Sequence, residues 1–181
     1  MNVDALEFAV VLPTLLVAHC VADHWVQTGW QAQNKGRRDA IGRIACGMHV
    51  CTYTLTTILF VAAVWLLFDL PISPAGFLLG QLVSATTHYW ADRRFTLEWL
   101  VQQWPFSRMG KHDFYMAGAQ RRSLIAKADD GQVVRLFHPS TMNAGVQEYW
   151  DNPSLGTGAH ALDQSWHWFW LFIAALVTSL V

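Results

Sequence analysis

The stretch LEFAVVLPTLLVAHCVADHWV (6–26) decides how this chain is read. It is apolar over the ~20 residues that a helix needs to cross a bilayer, yet it ends in His19, Asp23 and His24. Three further runs share this character, over 43–68, 75–92 and 162–181. Together they predict an all-α membrane protein, an antiparallel bundle of four transmembrane helices in one domain (1–181). The composition agrees. The hydrophobic fraction is 53%, and charged residues are only 14%, against roughly a quarter in a soluble domain. The N-terminal MNVDALEF has no basic residue, so it lacks the n-region of a signal peptide and the first span is expected to stay in the protein. Pro13 is a candidate kink in that span. Gly76 and Gly80 are candidate points of close helix approach.

The turn DLPISPAG (69–76) is short, so the helices on either side are antiparallel neighbours. The longest link, about 97–159, is the only sizeable extramembrane insertion. In it SLIAKADDGQVVRLF (123–137) reads as a β-hairpin turning at Asp-Gly, and Leu97–Trp104 as a short amphipathic helix. All 12 Lys and Arg residues lie in or beside two links, 27–42 and 93–159. The positive-inside rule therefore places these links in the cytoplasm and both termini outside, in the cytoplasmic (inner) membrane. Every Trp but Trp65 also lies towards that inner face, chiefly as an interfacial belt. A net charge of −1 argues against nucleic acid as a partner. Cys20, Cys46 and Cys51 form no secreted disulfide framework.

Depth along the spans organises the ionisable residues. Counted from the outer helix ends, His19, His88 and His167 fall ~20 Å in, and Asp23, Asp92 and Asp163 ~26 Å in. Each His–Asp pair is spaced i, i+4 and shares a helix face. His49 joins from the second helix near the aspartate level, and Gln27, Gln164, His24 and His160 extend the cluster towards water. Ionisable groups at this depth are expensive and face the bundle interior. A hydrogen-bonded network that locks the bundle would explain them. So would a metal site on His19, Asp23, His49, His88, Asp92, Asp163 and His167, and this reading is preferred because the candidate ligands outnumber what a network needs. A thiolate site on Cys46 and His49 is the lesser metal alternative. Arg93, Arg94, Lys35, Arg37 and Arg38 read mainly as topology determinants, one or two of them able to hold an anion.

Four blocks, HCVADHWVQTGWQAQNK (19–35), HVCTYTLT (49–56), HYWADRR (88–94) and LDQSWHWFWL (162–171), resemble those of the domain-of-unknown-function family numbered 3307. Its members are bacterial and phage-encoded membrane proteins. The resemblance covers about half the chain and does not extend to 99–159. It carries over His19, Asp23, Gln27, His49, His88, Asp92, Arg93, Asp163, Gln164 and His167. The family has no established activity, so the likeness implies a site and not a reaction.

The leading expectation is a metal-dependent membrane hydrolase acting at the cytoplasmic leaflet on a lipid-like or phosphorylated substrate. Its cofactor would be divalent, zinc first, with iron or manganese as alternatives. A bound water made acidic by the ion would be the nucleophile. Asp23 or Asp92 would act as base, and Arg93 would stabilise developing negative charge. The alternative is a non-enzymatic metal-binding or structural membrane protein, of bacterial or phage origin, acting through a protein partner on 105–159. Proton or ion conduction, helped by homo-oligomer formation, ranks third.

Overall fold

The computed structural model describes residues 4–117, 124–127, 133–136 and 157–180. These residues are predominantly helical, as the all-α reading expects. They divide into two compact units, Met1–Leu97 with Asp163–Val181, and Glu98–Leu162.

The first unit holds four long helices. Helix α1 (Ala5–Val21) is N-capped by Asp4, whose side chain accepts from the backbone of Leu6 and Glu7, and it continues through Pro13. A π turn, Ala22–Val26, extends it, closed by a bond from the Gln27 N–H to the Ala22 carbonyl. A short helix α2 (Gly29–Asn34) follows, opened by a Thr28–Gln31 capping box. Helix α3 (Ala40–Leu67) starts at an Asp39 cap and helix α4 (Pro74–Asp92) at Ser73, with Pro in its first turn. The fourth long helix, α7, spans Gly158–Leu180. The remaining helices are α5 (Phe95–Gln102), near the expected Leu97–Trp104, and α6 (Lys111–Met116). In the second unit, strands β1 (Leu124–Lys127) and β2 (Val133–Leu136) pair antiparallel, Leu124 opposite Leu136. The residues between them, and most of the 105–159 surface expected to meet a partner, lie outside the described residues.

The end of α7 lies beside the starts of both α1 and α4. The Asp4 N–H donates to the Ser179 carbonyl at 3.2 Å, and Phe8 meets Phe172 edge-on. A Cβ on Gly80 would lie 2.1 Å from Thr178 Oγ1 and 2.9 Å from the Ala174 carbonyl; one on Gly76 would lie 2.5 Å from the Thr178 carbonyl. The two glycines therefore let α4 and α7 approach as closely as the sequence suggested. Val11, Leu15, Val61, Leu70, Ile72 and Leu171 with Ala174 and Ala175 fill this end with an apolar core. Further along, the interior turns polar. Thr57 donates to Gln81 at 2.8 Å, Tyr53 and Ser84 share a 2.6 Å hydrogen bond, and the histidines follow.

The all-α expectation holds, whereas four membrane-crossing helices are not supported. Among the described residues two stretches, Ala5–Val26 and Ala40–Leu67, are long and apolar enough to cross a membrane. Helix α4 falls short because it carries Gln81, Ser84, Thr86, Thr87 and His88, and α7 because its first turns hold His160, Asp163, Gln164 and Ser165.

Candidate metal centre

Four helix ends deliver the predicted ligands to one place. His19 and Asp23 come from the end of α1 and its π turn, and His49 from early α3. His88 and Asp92 come from the end of α4, with Asp163 and His167 from early α7. Because the helices alternate in direction, chain ends of opposite polarity bring the same residue types to one level. His19, His49, His88, Asp92 and His167 are each 2% exposed or less.

The tightest grouping is formed by His49, His88, Asp23 and Asp92. His49 Nε2 lies 3.0 Å from His88 Nε2, 3.3 Å from Asp23 Oδ1 and 3.1 Å from Asp92 Oδ2. His88 Nε2 lies 3.6 Å from Asp23 Oδ1 and 3.2 Å from Asp92 Oδ2. These are five of the six distances among the four donor atoms, and the donor atoms of Asp23, His49 and His88 all lie within 4.8 Å of one another. A regular tetrahedron around zinc, with bonds of ~2.0–2.1 Å, has edges of about 3.3–3.4 Å. The five distances lie near that spacing, so the two imidazoles can share an ion with either carboxylate. A plain hydrogen-bond network suits them less well. If both Nε2 atoms donated to the carboxylates, two protons would meet across the 3.0 Å gap.

A second grouping lies alongside. His167 Nε2 is 3.7 Å from Asp163 Oδ1 and 3.8 Å from Asp92 Oδ1. The His19 ring packs edge-on against His167 at 4.8 Å between centroids, and His19 Nδ1 is 3.4 Å from Asp23 Oδ2. Donor atoms of His19, His88 and His167 also lie within 4.8 Å of one another. Tyr53 stacks on His88 at 3.8 Å, holding that ring from behind.

Among the described residues, His19 Nε2 is buried without a hydrogen-bond partner, while Asp23 Oδ1, Asp92 Oδ2 and His167 Nε2 meet other ionisable groups of the cluster. A buried polar atom left unpaired costs about 1–3 kcal/mol. A bound cation removes much of that cost by giving the lone pairs a ligand role.

The cation that reaches the aspartates is Lys35, which the sequence reading had assigned to topology or anion contacts. Its Nζ is 2.8 Å from Asp92 Oδ1. Burial works against its charge, but Asp92 and then Asp23 more than offset this and lift the ammonium above the usual lysine value. Arg93, expected on a reacting anion, instead donates to the carbonyls of Lys35, at 3.2 Å, and of Arg37, and its guanidinium lies over the Phe95 ring. Arg94 donates to the Ala32 carbonyl at 2.7 Å. The two arginines pin the link that carries Lys35.

The outlying candidates take other positions. His24 is exposed and its Nδ1 is 3.0 Å from the Cys20 carbonyl. Gln164 Nε2 reaches its neighbour Asp163 at 3.4 Å. Gln27 Nε2 is buried without a hydrogen-bond partner, and His160 belongs to the second unit, where its backbone N–H donates to Thr157 Oγ1. Cys46 Sγ donates to the Tyr89 carbonyl at 3.7 Å while Cys20 and Cys51 are exposed. The thiolate alternative therefore gains no support from the described residues.

No protein-family model, curated protein or solved structure matches the chain. The likeness to the 3307 family rests on its four blocks alone. Together the fold and the site define a helical bundle with a buried His/Asp group able to hold a metal ion.

Proposed function

We propose that this chain is an integral membrane metalloprotein of four spanning helices. Its His49, His88, Asp23 and Asp92 would hold one divalent ion, zinc first, in the service of hydrolysis at the cytoplasmic leaflet. The observation that carries the metal is the close approach of the two imidazole nitrogens to each other and to both carboxylates, at 3.0–3.6 Å. Charge supports it as well. With ionised carboxylates and the neutral imidazoles that metal ligation requires, Asp23, Asp92 and Asp163 with Lys35 carry about −2, which one divalent ion neutralises.

Membrane spanning by α4 and α7 is supported by what they turn outward. Leu78, Leu79 and Leu82 on α4, and Trp168, Phe169 and Phe172 on α7, are exposed, while His88, Asp92 and His167 are buried. An apolar outside around a polar inside suits lipid and not water. The distribution of Lys and Arg then favours the cytoplasmic side for the site.

A bound ion supplies Lewis acidity and lowers the pKa of a coordinated water towards neutral. Asp23 is the ligand best placed to yield a position. Its side chain is 11% exposed against 3% or less for the other three, and it sits on the π turn, a distortion frequent at functional sites. Once displaced it can act as general base towards a lipid-like or phosphorylated substrate. Asp92, tied to Lys35, is the fixed ligand.

Closure of the site favours a second reading, a structural or purely metal-binding protein, because structural ions keep four protein ligands. Cobalt substitution separates the two. An open or yielding position predicts that phosphate shifts the visible spectrum of the cobalt protein, whereas a closed structural site leaves it unchanged. Metal analysis of detergent-purified protein tests the shared premise. Wild type should hold an ion that His88→Ala and Asp92→Ala lose, and a folded wild type that stays metal-free would sink both readings.

A further inference from the structure

Asp92 is where the two groupings meet. Its Oδ2 belongs to the first grouping, and its Oδ1 faces His167 at 3.8 Å. On that second side stand His167 and Asp163, whose donor atoms lie within 4.8 Å of one another and of Asp92, a set of one imidazole and two carboxylates. A pair of ions in a bundle core is commonly held by such sets of carboxylates and histidines. Here Asp92 Oδ1 already has a cation, the Lys35 ammonium at 2.8 Å.

Lys35 does not reach this place as a loose surface side chain. It is buried, 8% exposed, and its own carbonyl is held by the Arg93 guanidinium. Its ammonium feels the charges of Asp92, Asp23 and Asp163, all three carboxylates of the cluster. One divalent ion together with Lys35 balances those three charges. Two divalent ions together with Lys35 would leave an excess of positive charge where there is little water to solvate it.

We propose that Lys35 is a tethered second cation. It makes the centre mononuclear, and it covers a latent divalent-ion site on His167, Asp163 and Asp92 that opens when the ammonium is removed. This rests on the first grouping being a metal site. The ammonium neutralises Asp92 without taking a lone pair from His167, whose Nε2 faces Asp163 Oδ1 at 3.7 Å.

The test is the count of zinc per chain, by elemental analysis of full-length protein equilibrated with zinc alone and then freed of excess. Wild type and Lys35→Arg should hold about one ion, and Lys35→Met about two. Wild type with two ions, or a folded Lys35→Met with one, overturns the proposal while leaving the first site standing. Wild type with none refutes the metalloprotein reading itself. Should Lys35→Met fail to fold, His167→Ala in the wild-type background decides. It should keep its single ion, and losing it would make His167 a ligand of that ion and refute the assignment.

Discussion

His49→Ala is the most informative perturbation of the primary site, because His49 Nε2 makes three of the five short edges and its residue is fully buried. Structural zinc sites contribute ~10–16 kcal/mol of binding, so one of four ligands accounts for ~2.5–4 kcal/mol, or about 10²–10³-fold in affinity. At a fixed free-ion concentration well above the wild-type Kd, that loss removes ~2.5–4 kcal/mol of linked stability. In a chain of this length it lowers the melting temperature by about 5–15 °C. Truncation also removes the ring packed 5.1 Å from His88, and this packing loss must be separated from the metal effect. Melting both proteins in detergent, with zinc and with chelator, does so. The packing loss persists under both conditions, whereas the metal term appears only with zinc. A chelator should therefore destabilise wild type by more than it destabilises His49→Ala. If wild type melts at the same temperature with zinc and with chelator, or His49→Ala keeps wild-type zinc affinity, the assignment of His49 as a ligand is wrong.

Gly80→Ala should destabilise by about 1–3 kcal/mol, since its Cβ would meet Thr178 Oγ1 at 2.1 Å and the Ala174 carbonyl at 2.9 Å. Gly47→Ala, with nothing within 4 Å, should be neutral or stabilising by up to ~1 kcal/mol; thermal melts of the two variants check this contrast. Alkaline stability should depend on Lys35. Its ammonium is held above the usual lysine value, so its contribution is complete below the unfolded pKa of ~10.4 and is lost as pH rises through the folded value. Melts in chelator from neutral pH upwards should show this alkaline loss in wild type and not in Lys35→Met. Arg93→Ala should speed hydrogen exchange across residues 32–39 and cost about 1.5–3 kcal/mol for each charged hydrogen bond lost. Zinc content should survive, because Arg93 positions the link and does not ligate; its loss with the fold intact would contradict that placement.

The level of the site along the bundle was legible in the sequence because position along a helix is a matter of counting. Equal distances from the outer ends put His19, His88 and His167 level, and their donor atoms do converge. His49, counted nearer the aspartate level, has its Nε2 within 3.3 Å of both Asp23 and Asp92. What counting along separate helices does not convey is which neighbours pair across the bundle. Lys35 escaped for a related reason. Its position depends on a link with no periodic pattern, folded back and held by Arg93 and Arg94 from the far end of α4. The turn there needs a positive φ of 57° at Arg94, which no local sequence signal announces. The π turn at Asp23 was equally silent, since it needs one backbone bond to skip a residue. Spanning character was read best in α1 and α3, where the apolar residues run nearly unbroken. In α4 and α7 the polar residues that build the site lower the apolar signal of the very helices that carry it.

The two ends of the bundle solve opposite problems. At one end Gly76 and Gly80 bring α4 against α7 over an apolar core, where close packing alone suffices. At the other end the same four helices bring three carboxylates together, and packing cannot offset that repulsion in a medium of low dielectric. Cations must enter the structure there. Lys35 supplies one charge covalently, drawn in by a link that two arginines fasten. The remaining charge of about −2 matches one divalent ion, and the His49 and His88 nitrogens lie 3.0 Å apart and within 3.6 Å of both Asp23 and Asp92. Charge balance and donor geometry are independent requirements, and a centre built only to lock helices together by hydrogen bonds had no reason to meet both.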